Sequence, residues 1–138
     1  MSGKPFNFKE FSIQQDQCAM KVGTDGVLLG AWVKVSDDTE SILDIGTGTG
    51  LIALQMAQRT GAETIDALEI ENKAFEQAVE NFENSPWGDR LYCYHASLQE
   101  FEEEIEELRQ ELKELKKEIE VMAAILLIKL QQQDVVGN

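Results

Sequence analysis

The sequence has no surplus of basic charge, no apolar run long enough to cross a membrane and almost no cysteine. Twelve Lys and Arg stand against 26 Asp and Glu, a formal net charge of −14. The deficit is spread along the chain: residues 1–101 hold 16 acidic and 7 basic side chains, a balance of −9, and residues 102–138 hold 10 and 5, a balance of −5. Phosphate neutralisation supplies most of the non-specific affinity of nucleic-acid binders, so a chain without a basic face is not built to hold nucleic acid unaided. The longest apolar stretch, Val121 to Leu130, is about half of what a membrane-spanning helix needs. The opening MSGKPFNFKEF carries no apolar run behind a basic start, so no secretory leader is expected and the cytoplasm is the expected compartment. Cys18 and Cys93 fit neither a Cys-x-x-Cys pair nor a zinc pattern and read as two reduced thiols. What remains, 43% hydrophobic and 28% charged residues, is the balance of a globular chain able to bury a core.

The aromatic and aliphatic residues of Phe6 to Ile13 recur at near-alternating positions, which predicts a strand or hairpin arm. Asp25 is placed to cap a short apolar helix through Gly26 to Val33, and Ser36 to Glu40 is a loop. From Ser41 the pattern becomes strand, glycine turn, helix, repeated. Ile42–Ile45 is a short buried-type strand, Gly46 to Gly50 the turn, and Leu51 onward a helix that Gly61 can end. Thr64 to Glu69 is a second strand. Lys73 to Asn84 is a helix with one apolar stripe, and Leu91 to His95 is a third strand. Such alternation predicts a parallel sheet with right-handed crossovers.

The last 37 residues follow another pattern. Ile105, Leu108, Leu112, Leu115, Ile119, Met122 and Leu126 are spaced three and four apart, a heptad seam, with Glu106/Arg109 and Glu114/Lys117 placed for pairing one turn apart. A single helix over 102–133 is expected. Val121 to Leu130 is apolar all round and should be more deeply buried than the Glu-rich part. A strand at Ala124 to Ile128 returning to the sheet is the competing reading, and the Ala, Leu and Met content favours helix.

Asp44-x-Gly46-x-Gly48-x-Gly50, at the end of the first strand, is the strongest functional signal. Its glycines permit a tight turn and close backbone approach of a ligand, and the following helix N-terminus offers free amides to a carboxylate. The dinucleotide pattern Gly-x-Gly-x-x-Gly is not met, since its third glycine would fall at Leu51 or Ala53. A carboxylate at the strand end beside these amides suits a ligand with both an ammonium and a carboxylate, as S-adenosylmethionine has. Glu69 ends the second strand about 20 residues on, where doubly wound folds place an acid against ribose hydroxyls; a solvated strand-end acid is the alternative. Ser97 and Leu98, past the third strand, lie where an adenine ring would be held. His95 reads as structural rather than catalytic, and Trp32 and Trp87 as packing anchors rather than base-stacking platforms.

Residues 6 to 101 resemble the N-terminal part of bacterial tRNA adenine-N6 methyltransferases that modify a valine tRNA. The likeness is carried by Phe11-Ser12-Ile13-Gln14-Gln15-Asp16, by Met20 to Trp32, by Asp44 to Leu54 and by Asn81-Phe82-Glu83-Asn84-Ser85-Pro86-Trp87. The Lys21 to Trp32 segment is the most specific of these. The resemblance implies an α/β, truncated Rossmann-like methyltransferase half, three parallel strands with flanking helices and an N-terminal hairpin arm, to which the heptad pattern, foreign to the family, adds a long C-terminal helix. It implies S-adenosylmethionine or S-adenosylhomocysteine as cofactor. Asp44, Gly46 and Gly50 would line its methionine end with Thr47 and Gly48 in the same loop, Glu69 its ribose, and Ser97 with Leu98 its adenine. Lys21, Thr24 and Asp25 would lie near the cleft, or form a buried hairpin-to-helix junction.

The family's fourth strand ends in Asn-Pro-Pro and an aromatic, which hold the target base. No such segment occurs here, where the only prolines are Pro5 and Pro86. The reading is therefore a cofactor-binding half-domain (1–101), a heptad-patterned helix (102–133) and a tail (134–138), without methyl transfer of its own. The family's tRNA partner is not expected for so acidic a fragment. In the parent topology the first strand is central, so its edge around Ile42 to Ile45 needs cover. The tail could lie over it or add a strand, or the chain could self-associate through the helix or the sheet edge. The abrupt change to an idealised Glu/Leu/Lys heptad points to an engineered or recombined chain, and a scaffold with no cofactor function is the rival reading.

Overall fold

The alternating aromatics at the N-terminus form a hairpin: β1 (Phe6–Asn7) pairs antiparallel with β2 (Ser12–Ile13), Phe6 opposite Ile13. The computed structural model describes residues 3–137. Phe8 stacks on Phe11 at 4.5 Å between ring centroids, Phe11 meets Trp87 edge-on at 5.5 Å, and Ile13 is fully buried. Trp87 thus anchors packing as expected. Trp32 does not. It is 84% exposed at the end of α1 (Thr24–Trp32), a helix whose apolar residues surround its axis rather than forming one stripe.

The cap of α1 also departs from expectation. Gly23 is the cap residue and no side chain fills that role, while Asp25 is the second helical residue, where its charge favours the positive helix end. At its other end α1 is served from α2 (Leu51–Arg59): Arg59 donates to the carbonyls of Gly30 and Val33 at 2.6 and 3.0 Å, taking acceptors that the helix itself cannot satisfy. Gly30 also leaves room for Gln55 of α2, whose side chain a β-carbon there would meet.

The central sheet is parallel, with β3 (Ser41–Ile45), β4 (Thr64–Glu69) and β5 (Leu91–His95) in that spatial order, so β3 lies at an edge. The register sets Asp44 opposite Ala67 and Glu69 opposite His95. Helix α2 follows β3, and α3 (Asn72–Glu83) follows β4. Their inward residues, including Leu54, Ala53 and Phe82, join Ile65, Ala67 and Leu91 of the sheet in the buried core. The small alanines let helix and sheet approach closely. Strand alternation sends Leu43, Ile45, Tyr92 and Tyr94 to the other face, where Leu43 is 41% and Ile45 56% exposed. The α/β architecture and three parallel strands agree with the sequence reading.

Helix α4 (Leu98–Val136) runs for 39 residues without a break, about 58 Å at roughly 1.5 Å per residue. The chain divides into two compact units between Leu98 and Gln99. Ala124 to Ile128 is helical, so the strand alternative is set aside. The expectation of deep burial for Val121 to Leu130 is overturned: Ile125, Leu126, Leu127 and Ile128 are all exposed, and no described residue of α4 is buried. Periodicity identifies residues that seek cover, and within its own unit this helix has no second element to supply it. Of the two pairings expected along it, Arg109 and Glu106 close to 3.9 Å.

Candidate functional site

The glycine turn is held by the strand beside it. The amides of Gly46 and Thr47 both donate to the Leu68 carbonyl, at 2.8 and 2.9 Å, pinning the loop to the carboxyl end of β4. Gly46, Gly48 and Gly50 have φ of 70°, 58° and 87°, a region that side-chain-bearing residues rarely adopt. Gly50 also has no room: a β-carbon would sit 2.5 Å from the Phe82 ring. At Gly46 and Gly48 a β-carbon would meet nothing within 4 Å, so these two face open space.

That space is a cleft of about 610 Å³ at the carboxyl end of the sheet. The structure brings together Lys21, Thr24, Asp25, Asp44, Gly46, Thr47, Gly48 and Glu69 along its walls. Gly50 caps α2 rather than lining the cleft. Ser97 and Leu98 are not among the lining residues either; they follow β5 by two and three positions, at the same sheet end as Glu69.

The carboxylates differ in setting. Asp44 accepts from the Thr47 hydroxyl at 2.7 Å. Burial pushes its carboxyl above the usual carboxylate range and the like charge of Glu69 adds to this, while hydrogen bonds from Thr47 and the Ala53 amide oppose. Glu69 is buried and spans the mouth of the loop: one oxygen accepts from the Gly48 amide at 2.8 Å and the other from the Glu71 amide at 3.1 Å. Two of its roughly four lone-pair positions are thereby used, which leaves acceptor capacity for hydroxyls.

Several lining residues carried no signal in sequence. Glu71 is the cap of α3, accepting from the amides of Lys73 and Ala74 at 3.3 and 2.7 Å, in a position where Ser, Thr, Asp or Asn is the usual residue. Cys18 lies on the wall, its thiol pushed up to about 11 by burial and by Glu69 and Glu71. Asn81, inside the quoted Asn81–Trp87 segment, clasps the loop from behind. Its Oδ1 accepts from the Gln14 amide at 2.7 Å, and its Nδ2 donates to the carbonyls of Gln14 and Thr49 at 2.9 and 2.8 Å. His95 stacks on Phe75 at 5.3 Å with a ring nitrogen 3.0 Å from the Ile70 carbonyl, a structural setting outside the cleft lining.

Four carboxylates (Asp25, Asp44, Glu69, Glu71) face one ammonium (Lys21) in this cleft, so its field favours a ligand with cationic groups. Among the described residues no helix is long and apolar enough to cross a membrane, and no group of His, Cys, Asp and Glu could hold a metal ion.

Comparison with known proteins agrees with the fold. The tRNA1(Val) (adenine(37)-N6)-methyltransferase of Christiangramia forsetii is 70% identical over 105 residues, 76% of this chain and 44% of the relative. The protein of the same name from Trichodesmium erythraeum is 57% identical over 103 residues, 73% of this chain and 43% of the relative. The chain spans less than half the length of these curated relatives. A Pyrococcus horikoshii transferase superposes with a TM-score of 0.62 at 21% identity, covering 72% of this chain and 38% of that one. An O-methyltransferase from Bacillus cereus, in complex with S-adenosylhomocysteine, gives 0.55 at 24% identity, covering 67% and 42%. A family profile described as a methyltransferase domain matches residues 42–110, half of the chain, and the chain belongs to that methyltransferase-domain family.

Proposed function

We propose that residues 1–101 form a cofactor-binding unit that takes S-adenosylmethionine, or its product S-adenosylhomocysteine, in the cleft above the glycine loop. The observation that carries this reading is the pairing of the Gly48 amide with Glu69 at 2.8 Å across open, positive-φ glycines, beside the half-buried Asp44. The residues fit the group. Asp44 offers a carboxylate to the ligand's ammonium, the loop and the α2 amides suit its carboxylate, and Glu69 retains acceptors for ribose hydroxyls. Ser97 and Leu98 would address the adenine, and Lys21, Thr24 and Asp25 close the opposite wall. The cofactor supplies an activated methyl group when bound. These 138 residues contain no Asn-Pro-Pro-aromatic segment to hold an adenine amine, so in this chain binding is separable from methyl transfer. The relatives are named for tRNA; with a net charge of −14 this chain does not hold tRNA unaided, and its setting is cytoplasmic.

Calorimetry with S-adenosylmethionine tests the reading. We expect saturable, one-to-one binding that weakens at least tenfold in Glu69→Gln, and no methyl incorporation into tRNA. Absence of heat from a folded protein would overturn it.

A second reading is favoured by the exposed apolar seam of α4: residues 102–133 act as a self-association element and 134–138 as a tail, in an engineered or recombined chain whose methyltransferase half is a scaffold. The two readings are compatible.

A further inference from the structure

Helix α4 carries an apolar seam that nothing in its own unit covers: Leu108, Leu112, Leu115, Ile119 and Met122 are each more than half exposed, in a helix unbroken from Leu98 to Val136. From Ile105 to Leu126 the seam is about 32 Å long at roughly 1.5 Å per residue. Exposed apolar surface of this extent calls for a partner, and the residues beside it specify which.

We infer that α4 pairs with the same helix of a second copy of this chain, as a parallel, in-register, two-stranded coiled coil. This rests on the self-association reading above and gives it a partner, an orientation and a register. Ile105, Leu112 and Ile119 occupy the first seam position of successive heptads, and Leu108, Leu115 and Met122 the second. Two of the three first positions, Ile105 and Ile119, are β-branched and two of the three second positions, Leu108 and Leu115, are Leu, and that combination favours two strands.

Charge fixes the direction. The positions flanking the seam on one side are Glu104, Glu111 and Glu118; on the other they are Arg109 and Lys116, continuing to Ala123. In a parallel pair each flank meets the opposite flank of its partner five residues on. Glu104 then faces Arg109, and Glu111 faces Lys116, each contact formed twice by the two-fold axis. An antiparallel pair sets like flanks together, glutamate on glutamate and Arg109 beside Lys116, and every one of these contacts is repulsive. The existing pair within the helix does not compete strongly, since Arg109 reaches Glu106 only at 3.9 Å with both side chains mostly exposed.

Orientation is read by cysteine cross-linking of the full chain. Leu108→Cys and Ile119→Cys, one in each seam position, lie 11 residues apart, about 16 Å along the helix. In a parallel, in-register pair each variant forms a disulfide with its own copy in a glutathione buffer, above the background of the native chain with Cys18 and Cys93. Circular dichroism confirms that each variant keeps its helix. Sedimentation equilibrium should give twice the 15.5 kDa chain mass. Arg109→Glu with Lys116→Glu should raise the dimer dissociation constant roughly 30-fold, the product of four exposed ion pairs of ordinary strength.

A dimer in which only a mixture of the two cysteine variants cross-links is antiparallel and overturns the inference while leaving self-association intact. A trimer or tetramer overturns the two-stranded state. A monomer overturns this inference and the self-association reading together, and leaves cofactor binding to its own calorimetric test.

Discussion

Asn81→Ala should be among the most damaging single substitutions in the first unit. Asn81 is 1% exposed and makes three side-chain hydrogen bonds, to the Gln14 amide, the Gln14 carbonyl and the Thr49 carbonyl, at 2.7, 2.9 and 2.8 Å. It joins three separate segments: α3, the end of the hairpin arm and the glycine loop. Alanine removes all three bonds and strands their backbone partners. A net loss of about 1 kcal/mol per bond, with part of the desolvation penalty of groups left unpaired, gives about 3–5 kcal/mol. Small domains have only about 5–15 kcal/mol in total, so a large fraction of the native state is lost. Urea unfolding followed by tryptophan fluorescence measures this directly, because Trp32 and Trp87 both lie in the first unit and α4 has none. The midpoint should fall with an unchanged slope. Asn81→Asp should be worse: the oxygen facing Gln14 remains, but two donors become acceptors aimed at carbonyls. A loss under about 1 kcal/mol for Asn81→Ala would refute the claim that this clasp holds the loop.

Other substitutions separate strain, electrostatics and accessibility. Gly50→Ala combines a φ of 87° with a collision against Phe82 and should cost about 2–4 kcal/mol; Gly46→Ala, strained at 70° but unobstructed, should cost about 1 kcal/mol, and equal losses in urea unfolding would contradict this. The raised pKa of Asp44 means that the folded state favours its protonated form, so its contribution to stability falls as pH rises from the ordinary 3.8 through the folded value, and the cost persists at neutral pH. Asp44→Asn should therefore leave the fold at least as stable at pH 7 while weakening S-adenosylmethionine binding by about ten- to a hundredfold; calorimetry and unfolding on the same sample check both. Wild-type affinity should fall as pH drops through the Asp44 value, because protonation removes the charge that faces the ammonium. Burial pushes the thiols of Cys18 and Cys93 up to about 11 and about 12, so alkylation by iodoacetamide at neutral pH should be slow in the native protein and accelerate sharply in urea; equal rates would contradict the burial.

The order of strands and helices was legible in the sequence because the signals involved are local. Alternation and helical periodicity over a few residues marked β3, α2, β4, α3 and β5 to within a residue or two at most ends, and three glycines two apart can only be a turn. The spacing from Gly48 to Glu69 also brought the two to one sheet end, since a strand–helix–strand unit returns the chain to the same edge. What lay outside that reach depended on partners distant in sequence. Glu71 and Cys18 line the cleft because β4 and the hairpin arm converge there, and neither residue has a local pattern that says so. Asn81 looked like one residue of a family segment until folding placed it beside Gln14 and Thr49, 67 and 32 positions away. Trp32 and the Val121 to Leu130 stretch show the opposite failure, apolar residues that sequence assigns to a core and the structure leaves exposed. Composition and periodicity thus determined which residues need cover and what elements they form. Which surface meets which was decided only by the tertiary structure, because burial belongs to a pair of surfaces and a sequence window contains only one of them.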